Sequence, residues 1–330
     1  MTLADKLPKP RMMMLNGLLI PRRVTIETIY DCNFRCTMCP WSEAESNPST
    51  LGRKKGPMDQ ALFKSIIDRL VPYSEHIEMM DLFSLGEPLM DRRICERILY
   101  AKSRGFKNLA FATNASLLIP RIQQQLLETG IETILFSIDG ATKESYEKIR
   151  VRGNFEKVVE NCLGMIERRN TGDYPTRFVV RFVRQKDNWD EWPMFREFWS
   201  TKLNASRRDL IGRYDVHTWG GSMRGKDDTL AHENSVLTRR DESIERAPCF
   251  LISEILNILA DGRVPICHED WHLAKFNMGN VQNADPVEVF NAQHYWNFRR
   301  IHAAGKKNSI PMCAGCTVHY SDATKEYVLP

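Results

Sequence analysis

The chain has 330 residues, of which 42% are hydrophobic and 27% are charged, and its formal net charge is +4. This length and composition are typical of a globular protein with one large and one smaller domain. Its basic residues are scattered and not interleaved with aromatic residues, which argues against nucleic-acid binding. Because no apolar run approaches a membrane span or the core of a secretory signal, the sequence predicts a cytoplasmic protein that binds no membrane.

Strand and helix patterns alternate through the first two thirds of the chain. The strand candidates are residues 23–30, 76–84, 108–113, 133–139, 177–183 and 213–219. Helical periodicity lies between them, over residues 60–70, 92–104, 119–128 and 155–169. Six strand–helix repeats indicate an α/β fold with a parallel sheet. Since a closed eight-unit barrel needs about 250 residues, the sequence predicts a partial (β/α)6 TIM-like barrel.

The composition of the sequence changes after Trp219. Residues 220–246 are polar and lack apolar periodicity, as in a linker or an ordered loop, and residues 247–330 carry four of the nine cysteines. We therefore predict an N-terminal extension, a barrel, a linker and a small C-terminal domain. Their predicted bounds are 1–22, 23–219, 220–246 and 247–330.

Cys32, Cys36 and Cys39 form a C-x3-C-x2-C motif directly after the first predicted strand. Cytoplasmic thiols are kept reduced, which favours metal ligands or reactive thiols over disulfides. Three soft thiolates can bind three corners of a [4Fe–4S] cluster and leave the fourth iron open. An incomplete zinc knuckle or three incidental thiols are the alternatives.

This motif resembles the signature of the radical S-adenosylmethionine (radical SAM) superfamily. The segments SLGEP (84–88), FATNAS (111–116) and FSIDG (136–140) are similar to further elements of that family at strand ends. The resemblance implies that S-adenosylmethionine binds the open iron. It also implies cofactor contacts at Met38, Gly86, Glu87, Asn114 and Ser137, although Asn114 and Ser137 could instead be turn residues that cap the next helix.

A second cysteine set follows the linker. Cys249, Gly262 and Cys267 form C-x12-G-x4-C, and Cys313 and Cys316 form C-x2-C. The pattern resembles the truncated SPASM module, or twitch domain, which implies one auxiliary [4Fe–4S] cluster and two clusters in all. We expect a hairpin that turns at Gly262. A four-cysteine zinc ribbon is the alternative.

The role of Cys249 stays open at this point. Cys267, Cys313 and Cys316 could hold the auxiliary cluster alone, which would leave Cys249 as a hydrogen-atom donor, or Cys249 is the fourth ligand. Cys95 and Cys162 lie in predicted helices and are expected to be small buried hydrophobic residues.

Within the superfamily the chain resembles neomycin C epimerase and deoxy-scyllo-inosamine dehydrogenase. The resemblance favours an epimerase that inverts a sugar carbon of an aminoglycoside, in the manner of neomycin C to neomycin B, through 5′-deoxyadenosyl hydrogen abstraction and thiol donation. Dehydrogenation of an aminocyclitol or sugar alcohol is the alternative, followed by peptide maturation and by a non-catalytic electron carrier. A flavodoxin- or ferredoxin-type protein is the expected electron donor.

A polycationic aminoglycoside needs carboxylates in its site, because buried charges need partners. The carboxylates expected near the mouth of the barrel could equally form surface ion pairs. They are Asp139, Asp241, Glu242, Glu245, Glu269 and Asp270.

Overall fold

The computed structural model describes residues 5, 7–42, 52–223, 230–235, 238, 241–270 and 274–330. Its strands are β1 (Met13–Leu15), β2 (Leu18–Ile20), β3 (Arg23–Ile26), β4 (Ile29–Tyr30), β5 (Gly56–Pro57), β6 (Met79–Asp81), β7 (Leu109–Thr113), β8 (Thr133–Ser137), β9 (Arg177–Arg184), β10 (Leu210–Asp215), β11 (Ile255–Ile258), β12 (Arg263–Pro265), β13 (Asn277–Asn280) and β14 (Glu326–Val328). Its α-helices include α1 (Gln60–Leu70), α2 (Ile94–Ser103), α3 (Pro120–Glu128), α4 (Lys143–Ile149), α5 (Phe155–Thr171), α6 (Trp192–Ser200), α7 (Glu242–Arg246), α8 (Leu251–Glu254), α9 (Pro286–Phe290), α10 (Gln293–Ala303) and α11 (Val318–Thr324).

One eight-stranded sheet forms the centre of the molecule, in the order β11-β3-β6-β7-β8-β9-β10-β14. Its neighbours are parallel except β14, which runs antiparallel to β10. The six middle strands follow chain order and alternate with helices, which confirms the predicted partial barrel. Both outer strands come from the C-terminal region and cover edges that would otherwise expose unpaired backbone groups.

Local sequence explains the helices well, and α1 is an example. Asp59 caps its first turn by accepting a hydrogen bond from the Leu62 N–H at 2.9 Å. Its buried side chains recur at helical spacing on one face. They are Phe63, Ile66, Ile67 and Leu70. Each such burial contributes roughly 1.5–3 kcal/mol.

Strand β9 has two different faces because its side chains alternate. Phe178, Val180 and Phe182 are buried, and the Phe182 ring lies 4.7 Å from the Phe195 ring of α6. This face packs under the helices, so the opposite face, with Arg177 and Arg181, lines the inside of the barrel.

One local prediction needs correction, and another holds only at the turn itself. Strand β10 begins at Leu210 and ends at Asp215, whereas the pattern predicts residues 213–219. The chain does turn tightly at Gly262, whose φ is +82°, as expected. The Gly262 N–H donates to the Leu259 carbonyl at 2.8 Å and the Leu259 N–H donates to the Arg263 carbonyl at 2.9 Å, which closes the hairpin turn. Beyond the turn the two strands join different sheets, because β11 pairs with β3 and β12 pairs with β13. Pairing with distant strands cannot be read from a local pattern.

Among the described residues, no helix combines the length and apolarity needed to cross a membrane. The predicted domain bounds stay a prediction.

Candidate active site

The loop after β4 carries Cys32, Cys36 and Cys39. Burial, then the field of Cys36, raises the pKa of the Cys39 thiol to about 12. Burial, then Glu87 and more weakly Cys36 and Cys39, raises the pKa of Cys32. The three thiols therefore lie close enough to act on each other. Soft thiols in one buried loop fit the three-cornered ligation of a [4Fe–4S] cluster, in which iron replaces the thiol protons.

The backbone of this loop is fixed by the segment that follows α4. The Arg35 N–H donates to the Val151 carbonyl, and the Thr37 N–H donates to the Ile149 carbonyl, both at 2.9 Å. At its end, the Trp41 ring packs edge-on against Tyr30 with centroids 4.9 Å apart. The loop is therefore held in place by the barrel itself.

Arg150 lies beside the loop and was not predicted as a site residue. Its Nη1 donates to Cys36 Sγ at 3.6 Å, and its Nη2 lies 2.5 Å from Asp139 Oδ2. Asp139 Oδ1 also accepts a hydrogen bond from the Val183 N–H at 2.7 Å. Asp139, a predicted substrate contact, is thus engaged by the protein. The only sequence signal for Arg150 is its place at the end of the helix after Asp139.

The predicted cofactor residues Gly86 and Glu87 pack against the chain segment that follows the first barrel strand. A Cβ at Gly86 would lie 2.8 Å from the Asp31 carbonyl oxygen, so only glycine allows this approach. Glu87 accepts hydrogen bonds from Thr113 Oγ1 and from the Asn114 N–H, both at 2.7 Å. Burial raises the pKa of Glu87. The result is a fixed buried carboxyl group that suits recognition of an amino group.

Asn114 joins this carboxyl group to the cysteine loop. Its Nδ2 donates to Asn33 Oδ1 at 2.9 Å, and Asn33 lies between Cys32 and Phe34. Its Oδ1 accepts a hydrogen bond from the Ser116 N–H at 3.0 Å, which also makes it a turn residue. Ser137 accepts a hydrogen bond from Arg181 Nη2 at 3.0 Å. The cofactor contacts assigned to these residues stay predictions.

The second cysteine set gathers around one cavity. Cys249 belongs to this set because its side chain lines the cavity. Burial and then the field of Cys313 raise the pKa of its thiol to about 12, although a backbone hydrogen bond opposes this effect. Four soft thiols that face one cavity fit a fully ligated [4Fe–4S] cluster. The four lining thiols are Cys249, Cys267, Cys313 and Cys316. Away from both sites, Cys162 is buried in α5 and Cys95 is partly buried in α2.

Sequence reasoning missed the basic side chains around this cavity. His302 Nδ1 accepts a hydrogen bond from the Cys249 N–H at 3.3 Å, and His302 Nε2 lies 3.6 Å from Cys313 Sγ. Burial lowers the pKa of His302 to about 4, so the imidazole stays neutral. Lys307 Nζ donates to the Ile244 carbonyl at 2.7 Å. These residues are scattered in sequence, and only their position identifies them.

Within the described ranges, no group of three or more His, Cys, Asp or Glu residues is arranged to hold one metal ion. Tetrahedral zinc needs its ligands about 2.0–2.3 Å from a single ion, whereas the thiolates of a cubane bind separate irons. The finding concerns the single-ion alternatives and leaves the fit of the thiols to clusters unchanged.

The segment after β10 touches both cysteine regions. Trp219 Nε1 donates to the Met38 carbonyl at 2.9 Å. Thr218 Oγ1 donates to the Gly315 carbonyl at 2.7 Å, and the Thr218 N–H donates to Thr317 Oγ1 at 2.9 Å. Trp219 adopts a left-handed φ of +47°, which costs energy for a bulky residue and is typical of functional segments. The two candidate cluster loops are therefore mechanically connected.

Two predicted carboxylates lie next to Cys267. Glu269 is almost fully buried, with one oxygen 3.1 Å from His217 Nδ1 and the other 2.9 Å from His268 Nε2. Asp270 accepts hydrogen bonds from the N–H groups of Lys275 and Phe276, both at 2.9 Å. Glu269 thus faces the end of β10, whereas Asp270 holds a loop.

The other three predicted carboxylates lie on or beside α7. Asp241 caps that helix through the Ser243 N–H at 2.9 Å, and Glu242 pairs with Arg246 one turn later. Glu245 accepts a hydrogen bond from the Tyr320 hydroxyl at 2.9 Å. Their partners are in the C-terminal region, whereas those of Asp139 are in the barrel, so the structure does not gather all six at one site.

Residues 26–191 match the radical SAM superfamily, and residues 249–317 match SPASM, an iron–sulfur cluster-binding domain. The chain therefore belongs to the radical SAM superfamily and is a radical SAM enzyme with a C-terminal SPASM domain. Its cofactors are S-adenosylmethionine and [4Fe–4S] clusters, as the sequence predicts.

Individual relatives include the tungsten-containing aldehyde ferredoxin oxidoreductase cofactor-modifying protein of Pyrococcus furiosus. It is 32% identical over 326 residues, which cover 89% of this chain and 86% of that protein. Mycofactocin maturase of Mycobacterium tuberculosis is 30% identical over 270 residues, which cover 78% of this chain and 65% of the maturase. The crystal structure of BtrN in complex with AdoMet and 2-DOIA has a TM-score of 0.59 over 90% of this chain and 93% of that chain, with 16% identity. That last likeness concerns the fold alone.

Proposed function

We propose that this radical SAM enzyme oxidises a small-molecule substrate, removing a hydrogen atom, a proton and one electron from an H–C–O–H group to leave a carbonyl. The observation that carries the proposal is that Cys249 lines one cavity with Cys267, Cys313 and Cys316. Four thiolates would complete the second cluster, which is the state suited to electron transfer. No thiol of that set is then left over to return a hydrogen atom.

The residues of the barrel divide the remaining work. When bound, S-adenosylmethionine with the first cluster supplies hydrogen-atom abstraction, and the second cluster supplies a one-electron acceptor. Cys32, Cys36 and Cys39 would hold the first cluster, with Arg150 balancing charge beside Cys36. Glu87 would hold the amino group of the cofactor.

The proton needs an acceptor near the end of β10, and His217 fits this role. Burial lowers its pKa, but nearby Glu269 outweighs that effect, so the pKa of His217 is raised overall. His217 Nδ1 lies 3.1 Å from Glu269 and accepts a hydrogen bond from the Trp219 N–H at 3.3 Å, and these two contacts fix the orientation of the ring. The imidazolium formed on protonation is stabilised by the same carboxylate.

The relative from Pyrococcus furiosus supports a substrate that is a cofactor or a precursor of one, because its name describes cofactor modification and this chain matches most of its length. A flavodoxin- or ferredoxin-type protein is proposed as the electron donor.

Inversion of a sugar carbon in an aminoglycoside is the second candidate function. It requires Cys249 to be free as the hydrogen-atom donor. The observation in its favour is that burial raises the pKa of this thiol to about 12, which keeps the S–H bond intact.

Turnover in deuterated water separates the two functions. Holoenzyme would be given S-adenosylmethionine, a reductant and a panel of sugar phosphates, aminocyclitols and aminoglycosides. Oxidation gives a carbonyl product that is lighter by two hydrogen atoms, whereas epimerisation through a thiol gives a product with one deuterium at the inverted carbon. The Cys249→Ala variant should alter the signal of the second cluster, because one iron becomes open, and Cys95→Ala is the matched control that should not. Deuterium incorporation by the wild-type holoenzyme, together with an unaltered second cluster in Cys249→Ala, would refute oxidation.

A further inference from the structure

On the inner face of the barrel, one guanidinium group forms no ion pair with a carboxylate of the described residues. Arg181 lies on the inward face of β9, level with Ser137 at the end of β8. Its Nη2 donates to Ser137 Oγ at 3.0 Å. Its Nε is buried and has no hydrogen-bond acceptor within the described part of the chain. A buried charged group that lacks a hydrogen-bond acceptor costs free energy unless a ligand supplies that acceptor.

The nearby carboxylate of Asp139 is already used by another cation, because it is bonded to Arg150. Burial lowers the pKa of Arg181, and the positive field of Arg150 adds to this effect, while Asp139 opposes it. Among the described side chains at this level, the two guanidinium groups of Arg150 and Arg181 therefore share the carboxylate of Asp139.

An aromatic wall stands next to Arg181. Its guanidinium carbon lies 6.0 Å from the centroid of the Tyr214 ring, and that ring meets Tyr327 edge-on at 5.6 Å. Gly212 makes this possible, because a Cβ there would lie 2.8 Å from the Tyr327 ring. Tyr327 is 44% exposed, so this end of the wall reaches solvent at the edge formed by β10 and β14.

We propose that Arg181 binds an anionic group of the substrate, a carboxylate or a phosphate, beside the Tyr214 ring. This inference rests on the proposed function and names the class of its substrate. The planar fork of arginine matches both oxyanions and binds them with two parallel hydrogen bonds. A polycationic aminoglycoside would instead be repelled by the same guanidinium, so the substrate class differs from the one that the sequence predicts.

The carboxylate of S-adenosylmethionine is a second possible source of the same chemistry. Arg150 is the guanidinium at the cluster end of the barrel, because it lies 3.6 Å from Cys36 Sγ. Arg181 lies on the next barrel strand after Ser137 and faces Tyr214 of β10. This placement assigns Arg181 to the substrate.

Calorimetric titration of the reconstituted holoenzyme, saturated with S-adenosylmethionine, tests the proposal without turnover. The probes are inorganic phosphate, pyrophosphate and, as a polycation, neomycin. The variants are Arg181→Gln and the matched control Arg184→Gln, which removes the same charge from the opposite face of β9, where Arg184 pairs with Asp215 at 2.8 Å. Arg181→Lys keeps the positive charge but cannot form two parallel hydrogen bonds, and it replaces Arg181→Gln in the test if that variant does not fold.

We expect pyrophosphate to bind the wild type and to bind Arg181→Gln about tenfold more weakly, the loss typical of one strong charge-assisted hydrogen bond. Arg184→Gln should bind it like the wild type. Equal pyrophosphate binding by all three proteins, or binding of neomycin in preference to pyrophosphate, would overturn the proposal. Weaker binding of S-adenosylmethionine to Arg181→Gln with unchanged pyrophosphate binding would assign Arg181 to the cofactor and also overturn it. Because these measurements need no product, their failure is distinguishable from failure of the oxidation proposal.

Discussion

Replacing Thr218 with valine should loosen the connection between the barrel and the second cysteine loop. The Thr218 hydroxyl donates to the Gly315 carbonyl at 2.7 Å and accepts a hydrogen bond from the Thr317 N–H at 3.2 Å. Both threonines are buried, with 5% and 2% exposure. Valine keeps the shape of threonine but leaves the two backbone groups without this partner.

An unsatisfied buried polar group costs about 1–3 kcal/mol. Two such groups, partly relieved by relaxation, should lower the free energy of unfolding by about 2–4 kcal/mol. Denaturant titration of Thr218→Val measures this loss as a lower midpoint. The same variant should release iron from the second cluster to a chelator faster than the wild type.

The matched control is Thr201→Val, whose hydroxyl bonds the Phe198 carbonyl at 2.8 Å on the exposed surface. Its free energy of unfolding should change by less than about 0.5 kcal/mol. If Thr218→Val behaves like Thr201→Val in both assays, the connection inferred from these hydrogen bonds is wrong.

Three further outcomes are expected. Gly86→Ala places a Cβ 2.8 Å from the Asp31 carbonyl oxygen and should weaken S-adenosylmethionine binding, measured by calorimetry, by at least about tenfold, or about 1.4 kcal/mol. Trp219→Phe keeps an aromatic ring but removes the 2.9 Å hydrogen bond to the Met38 carbonyl. This variant should bind S-adenosylmethionine about fivefold more weakly without loss of iron. Burial raises the pKa of Asp270 to about 6, so the wild type should lose up to about 3 kcal/mol of stability relative to Asp270→Asn as the pH rises from about 4 to 6.

The sign of that pH effect follows from linkage: the folded protein holds the Asp270 proton more tightly than the unfolded chain, and raising the pH removes this advantage. A parallel pH dependence in both proteins would contradict it. For Gly86→Ala the control is Gly164→Ala, where the Cβ meets only the Gln123 side chain, at 3.3 Å. Equal binding of S-adenosylmethionine by the two alanine variants would show that the close approach at Gly86 is not needed. Unchanged binding of S-adenosylmethionine by Trp219→Phe would show that the indole N–H of Trp219 does not support the cofactor site.

Local patterns predicted the elements that depend on local sequence. The bounds of α1 are as predicted, because its cap and its buried face lie within twelve consecutive residues. The cysteine motifs were visible for the same reason, since their spacing is short. The strand β10 was displaced in the prediction because Gly212 interrupts its pattern.

The remaining features depend on contacts between distant parts of the chain. Arg150 meets Cys36 across 114 positions, and Thr218 meets Gly315 across 97. The strands that cover the two edges of the barrel come from the C-terminal region, and the sharing of the Asp139 carboxylate by Arg150 and Arg181 emerges only in the folded chain. No spacing rule in a single sequence indicates such contacts.

The central claim is that Cys249 completes the second cluster. Electron paramagnetic resonance of the reduced Cys32→Ala/Cys36→Ala/Cys39→Ala variant, which should keep about four irons, isolates that cluster. Adding Cys249→Ala should change the spectrum and make it sensitive to added imidazole, because one iron becomes open. A spectrum that is unchanged by the substitution and by added imidazole would contradict this claim. It would favour Cys249 as the hydrogen-atom donor instead.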